Sequence, residues 1–363
     1  MSLNVGLIGL PNVGKSTIFN ALSTGKAESA NYPFCTIEPN QGIVEIPDKR
    51  LDEITQICPT QKIIPAIIKL VDIAGLVKGA SEGNGLGNQF LGHIKNVDAI
   101  VHVVRCFQDN DIVHVENSID PLRDIEIIET ELMLKDLETI NNSIEKTKKK
   151  SRINPKESKD KIESLEKAKK ILEAGDPLRS SLETKDIKKL YDLFLLTIKP
   201  VIFVANIDEP LLIDDNNDTI ALKNYAKANN CQHIKLCGKI EEEILELPNE
   251  EKQEFLQSME ITEPSLNILA RKAYEILNLQ TFFTVGKDEN RAWTIKKGST
   301  APQAAGVIHT DFERGFIKAE VYTLEDLKTY KKESEIRSAG KIRQEGKEYI
   351  VQDGDIMYFK FNV

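Results

Sequence analysis

The chain has 363 residues, about 2.4 times the roughly 150 residues of one domain, so two or three domains are expected. Hydrophobic residues make up 40% and charged residues 29%, which excludes a collagen-like or wholly disordered chain. The 48 basic and 57 acidic side chains leave a net charge of −9, which argues against nucleic-acid binding through overall charge but leaves room for a local basic patch.

The first ten residues lack a basic segment and a long apolar run, so no signal peptide is expected. No run of 18 apolar residues predicts a membrane span. Five scattered cysteines (Cys35, Cys58, Cys106, Cys231, Cys237) without a CxxC pair predict neither a zinc ribbon nor a disulfide scaffold, and fit a reducing cytoplasm.

Short apolar, mostly β-branched runs at 3–8, 66–71, 99–104, 200–205 and 232–237 predict strands buried on both faces, as in a parallel α/β sheet. A first helix is expected from Lys15 to before Gly25. Between strand 3–8 and that helix lies Gly9-Leu10-Pro11-Asn12-Val13-Gly14-Lys15-Ser16, which fits GxxxxGK[ST]. Average residue frequencies give such a match in about one chain in a hundred of this length. The glycines let backbone N–H groups converge on phosphate oxygens, and the helix N-terminus adds favourable potential. Lys15 is expected to reach the β- and γ-phosphates and the Ser16 hydroxyl to bind Mg²⁺. Asn12, Val13, Gly14 and Thr17 complete the expected cradle.

Asp72-Ile73-Ala74-Gly75 follows the next buried strand. An Asp there holds Mg²⁺, usually through water, and the Gly75 N–H can approach the γ-phosphate. Thr36, in Tyr32-Pro33-Phe34-Cys35-Thr36, lies where a switch I threonine completes the metal site. Leu76 occupies the position at which Ras-like enzymes carry a Gln that orients the attacking water. Leu has no polar group, so either intrinsic hydrolysis is slow or another group or a partner supplies the function. The glycine-dense run 78–88 predicts a mobile switch loop, against the plainer reading of a flexible surface loop.

Residues 120–174 are rich in Glu, Lys, Leu and Ile. Ile125, Ile128, Leu132, Leu134 and Leu137 recur at helical spacing, as do Ile162, Leu165, Ala168, Ile171 and Leu172, with Asn154-Pro155 dividing the two runs. An antiparallel coiled-coil hairpin inserted in the sheet domain is expected. Over 146–161 eight basic residues oppose two acidic ones, a net +6. This is either a solvated tip or a docking site for RNA or another polyanion.

Strand 200–205 ends in Asn206-Ile207-Asp208-Glu209. Ras-like GTPases read guanine here with Asn-Lys-x-Asp, the Asp accepting from N1–H and the 2-amino group. Adenine offers neither donor, and Glu209 is longer than Asp, so the motif favours ATP over GTP. Asn206 is expected to bond adenine N6 and N7 together, and Ile207 to cover the base face. Asp208, one position early, could serve guanine only by swinging in. Cys237 and Gly238, after the last strand, are placed to complete base recognition with backbone groups.

From about 280 the strand-like pieces 281–285, 292–296, 317–322, 348–351 and 356–361 surround one helical stretch, 301–308. A small α+β domain follows, with charge near balance at 14 basic and 13 acidic residues over 281–363.

Several long stretches together resemble the Obg-related P-loop proteins, specifically the YchF family of Obg-like ATPases. They are Gly6–Leu22, Asn31–Asn40 (NYPFCTIEPN), Asp72–Ile94 (DIAGLVKGASEGNGLGNQFLGHI), Asn206–Glu209 and Ala292–Glu320. The resemblance implies a G domain in two parts, 1–119 and 199–279, with a mainly parallel sheet. It implies an inserted antiparallel coiled-coil hairpin at 120–198 and a C-terminal TGS domain of the β-grasp, ubiquitin-like kind at 280–363. It further implies ATP preference through Asn-x-x-Glu, Mg²⁺-dependent hydrolysis, and a hydrophobic residue, here Leu76, replacing the catalytic Gln. The implied partner is the ribosome, as large subunit or whole particle, with rRNA met by the hairpin tip and the TGS domain. The chain is expected to act as a monomer in the cytoplasm. His114 resembles the family position proposed to help hydrolysis, against the plainer reading of a structural loop histidine; His93 is a weaker candidate. The implied catalytic set is Lys15, Thr36, Gly75 and His114. Asn12 resembles the P-loop Asn that lets some relatives bind K⁺ beside the phosphates. Two rivals stand beside the ATPase: a ribosome-binding protein whose nucleotide is mainly structural, and a conventional GTPase.

Overall fold

The computed structural model describes residues 3–23, 40–73, 85–109, 111–116, 118–150 and 155–362. Among the described residues seven strands precede residue 240: β1 (Asn4–Ile8), β2 (Gln41–Ile46), β3 (Lys62–Ile64), β4 (Ala66–Asp72), β5 (Ala99–Arg105), β6 (Val201–Asn206) and β7 (Gln232–Leu236). Six form one sheet in the order β2-β4-β1-β5-β6-β7. All its pairs are parallel except β2 with β4. Every residue of β5 and β6 is buried, which is why both read as continuous apolar runs rather than alternating ones. The five expected strands are all present, and β2 is an addition to them.

Helices α1 (Lys15–Ser23), α2 (Lys49–Ile57) and α3 (Gly85–Lys95) belong to the same unit. At α2 the Asp48 carboxylate accepts from the Arg50 N–H, a side-chain N-cap. The hairpin helices are α4 (Pro121–Lys150) and α5 (Pro155–Glu173). The seam differs from the one the spacing suggested. Ile125, Ile128 and Leu132 lie in the core of the sheet domain. The hairpin buries a separate cluster of Ile140, Ile144, Leu165, Ala168 and Leu172, joined by Leu178, Leu182, Leu190 and Leu195 from the returning chain. Leu134, expected in the seam, is 47% exposed. A single apolar periodicity on α4 therefore serves two cores in turn.

The return is anchored at the hairpin root. The buried Asp136 carboxylate accepts from the Leu196 and Thr197 N–H groups, both at 2.8 Å, and from the Thr197 hydroxyl at 2.7 Å. Two residues on, Lys199 donates to the Lys95 carbonyl at 3.1 Å and to the Val97 carbonyl, closing the C-terminus of α3.

The C-terminal strands are β8 (Leu279–Val285), β9 (Glu289–Lys296), β10 (Phe316–Tyr322), β11 (Arg343–Glu345) and β12 (Ile356–Phe361), in the order β11-β10-β12-β8-β9-β3. The helix Ala301–Ile308 packs its alanines against Phe282, Ile295, Phe316 and Phe359. The expected strand at 348–351 is absent, and Ile350 makes only an isolated bridge to Thr300. Three helices of five to seven residues, Thr310–Arg314, Leu324–Tyr330 and Glu333–Ser338, went unforeseen, because segments so short show no measurable period.

The edge strand of this second sheet comes from the first unit: β3 pairs in parallel with β9, Lys62–Ile64 against Glu289–Arg291. Beside it, fully buried Asn290 donates to the Cys58 carbonyl at 2.8 Å. Arg50 bridges Asp48 and Asp353 and lies over the Phe283 ring, and Lys328 pairs with Glu53. The main apolar core runs on into Phe283, Ala292, Tyr322 and Ile356, so the two sheets share it.

Candidate nucleotide site

The β1–α1 turn has the backbone of a phosphate cradle. Asn12 and Gly14 take left-handed φ values of 62° and 92°. At Gly14 any Cβ would also collide with the Asn206 amide, so glycine is required twice over. Lys15 is 9% exposed, and its ammonium donates to the Leu10 carbonyl at 2.7 Å. Burial pulls its pKa down to about 8, against the attraction of Asp72. Asp72 ends β4 in register with Leu7 of β1. Burial raises its pKa, and Lys15 opposes the rise. Among the described residues Asp72 Oδ1 is buried without a hydrogen-bond partner, an acceptor suited to a metal-bound water. Thr36, Gly75 and Leu76 lie outside the described residues.

A cavity of about 690 Å³ opens beside this turn, within the range of small-molecule sites. Asn12, Gly14, Lys15, Ser16 and Thr17 line one end, and Asn206, Ile207, Glu209, Cys237 and Gly238 the other. Val13 contributes from below: its carbonyl accepts from Asn206 Nδ2 at 2.9 Å. Cys237 is the N-cap of the helix Gly238–Glu246, so the Gly238 amide starts a helix at the base end.

The structure bears on three of the single-residue readings. Asn206 is 5% exposed and engaged at both ends of its amide, since Oδ1 also accepts from the Gly238 N–H at 3.1 Å. It braces the phosphate turn to the base loop. Its second Nδ2 hydrogen can still meet a purine N7, but the expected paired N6 and N7 contact competes with the brace. Asp208 accepts from the Gln108 N–H at 2.9 Å, which ties it to the neighbouring loop rather than leaving it to swing toward a base. His114 is buried, with Nε2 2.8 Å from the Asp124 carboxylate and Nδ1 accepting from the Glu116 N–H at 3.1 Å. Nδ1 is therefore the acceptor and Nε2 the donor of the neutral ring. In this arrangement neither nitrogen is offered to water, which is the structural-histidine geometry. His93 is exposed in the last turn of α3.

Asn12 Nδ2 donates to the Val113 carbonyl at 3.1 Å, leaving Oδ1 as the atom that could take a cation. Sequence reasoning missed Arg105. The signal was an Arg closing a strand, Ala99–Arg105, that is apolar apart from His102.

The family model for the YchF-GTPase C-terminal region, described as a protein of unknown function, matches residues 279–362. One described as a 50S ribosome-binding GTPase matches residues 4–136. Relatives named ribosome-binding ATPase YchF match from end to end: the Bacillus subtilis protein is 50% identical and the Escherichia coli O157:H7 protein 48% identical, over 100% of this chain and of theirs. The solved Schizosaccharomyces pombe YchF GTPase is 39% identical, with 99% of this chain and 98% of that chain covered and a TM-score of 0.89. With a P-loop, a hairpin insertion and a C-terminal sheet matched along its whole length, the chain belongs to the YchF family of P-loop proteins.

Proposed function

We propose that the protein is a ribosome-associated ATPase switch. The observation that carries this reading is the cavity itself, which joins the phosphate turn at Lys15 to the Asn206–Glu209 motif through the Asn206 brace. ATP is favoured over GTP because Glu209, in the place of the guanine-reading Asp, starts a separate 3₁₀ turn, and one oxygen of Asp208 is taken up by the Gln108 N–H. The relatives' names divide between ATPase and GTPase, so base choice is the point to measure.

The Ser16 hydroxyl and the unpartnered Asp72 Oδ1 are the groups that would hold Mg²⁺, which supplies positive charge at the β- and γ-phosphate oxygens. Lys15 leaves the Leu10 carbonyl for the phosphates. Thr36 and Gly75 act as the switch contacts. Leu76 brings no polar group to the attacking water, and His114 can do so only after release from Asp124, so hydrolysis by the isolated protein is slow and a partner accelerates it. K⁺ beside Asn12 Oδ1 would assist the same charge stabilisation. The hairpin and TGS domain report the nucleotide state to the ribosome and its rRNA, the Lys-rich tip supplying charge attraction. The protein works as a cytoplasmic monomer.

Single-turnover hydrolysis of ATP and GTP, with and without ribosomes, tests the reading. ATP turnover stimulated by ribosomes, and weakened at low salt when Lys148, Lys149 and Lys150 are changed to Glu, is the expected result. Nucleotide-independent docking with no acceleration would instead support a ribosome-binding protein with a structural nucleotide, and tighter GTP binding a conventional GTPase.

A further inference from the structure

Arg105, the last residue of β5, is 1% exposed. Its guanidinium is spent on three main-chain carbonyls: Nε donates to Phe107 at 3.2 Å, Nη2 to Asp109 at 3.0 Å and Nη1 to Ile112 at 2.9 Å. The plane also stacks over the Phe107 ring, 4.4 Å from its centroid. Burying a charge is costly unless its donors are satisfied, and here the following segment is wound around the guanidinium to satisfy them. A planar fork with five N–H donors can serve three divergent carbonyls; an ammonium on a flexible stem cannot hold the same three in place.

What is wound there is one wall of the nucleotide cavity. Phe107, Gln108, Asp109 and Ile112 line it. The wall is tied at the base end by the Gln108 N–H to the Asp208 carboxylate. At the phosphate end it is tied by the Val113 carbonyl, which accepts from Asn12. We infer that Arg105 is a positioning residue for nucleotide binding: it fixes the shape of the wall formed by 107–109 and 111–113, and through its two ties the spacing of the base and phosphate ends. This rests on the nucleotide reading above.

The test uses the full-length protein, a fluorescent mant-ATP probe and steady-state hydrolysis over a range of Mg-ATP concentrations from well below KM to saturation. Arg105→Lys keeps the charge and stem but loses the fork. The expected result is a tenfold or greater rise in probe Kd and in KM, with kcat within twofold of wild type. Ordinary structural damage instead lowers the active fraction, and so kcat, at constant KM. Values of Kd and KM within twofold of wild type, or a loss confined to kcat, overturn the inference. If the variant does not fold, hydrogen exchange on the wild type decides. Peptides spanning 107–113 must gain at least tenfold protection when nucleotide binds, and unchanged exchange there overturns the proposal. A wild type that binds no mant-ATP refutes the nucleotide reading instead.

Discussion

Asn206→Ala separates a brace from a base reader. The substitution leaves the Val13 carbonyl and the Gly238 N–H without their 2.9 Å and 3.1 Å partners. A buried backbone group so orphaned costs about 1–3 kcal/mol. The cavity lets water approach, so the lower end applies, about 2 kcal/mol for the pair. If that energy is drawn from the nucleotide-competent arrangement, affinity falls about 30-fold. The contact left to the base, one Nδ2 hydrogen to N7, is common to adenine and guanine. ATP and GTP should therefore weaken together, and the ratio of their dissociation constants should stay within threefold of the wild-type ratio. Competition binding against mant-ADP measures both. A ratio that collapses toward unity while GTP affinity is retained refutes the brace and restores Asn206 as an adenine reader.

Two further outcomes depend on pH. Free Lys15, with its pKa held down to about 8 mainly by burial, is charged at pH 7 and mostly neutral at pH 9. Bound phosphates favour the charged form, so binding takes up a proton and ATP affinity should fall as pH rises above 8, by up to about tenfold per unit; a flat titration profile of Kd between pH 7 and 9.5 contradicts it. Glu241 accepts from the Ser265 N–H at 2.6 Å, and burial pushes its pKa up from 4.5 to about 7. Because the folded value lies above the unfolded one, its contribution is full below pH 4.5 and is lost as pH rises through 7. It amounts to at most about 3 kcal/mol. Urea unfolding of wild type and Glu241→Gln at pH 5 to 8 should show the variant with the flatter dependence, and parallel curves would exclude Glu241 as the source.

The parts of the molecule written in contiguous residues were legible. The phosphate turn announces itself because its geometry needs two glycines at fixed spacing before Lys15. The central strands β1, β5 and β6 are plain because burial on both faces leaves little room for polar alternation. Legibility fails where a residue's partner is remote. Asn206 looked like a base reader because its ties to Val13 and Gly238 belong to other segments. The spacing already set Asp208 off the base-reading position, but its tie to the Gln108 N–H, a hundred residues away, is invisible in the sequence. The apolar spacing of α4 gave the helix correctly but not the change of partner between Leu132 and Ile140. Residues 348–351 had strand composition, but their neighbour at 299–301 turns into a helix at Ala301, so the ladder stops at one bridge.

The pairing of β3 with β9 has a consequence for how the chain is made. Lys62–Ile64 must wait for partners 227 residues later. At roughly 5–20 residues per second of synthesis, the nascent protein carries an uncompleted edge for about 10–45 s. Three features suit that interval: the strand is only three residues long, Lys62 places a charge on it, and Pro65 follows at once. The C-terminal sheet is short of a strand until the N-terminal unit supplies one. A C-terminal fragment made alone would expose β9 as an open edge, and would be expected to pair with itself rather than stay monomeric.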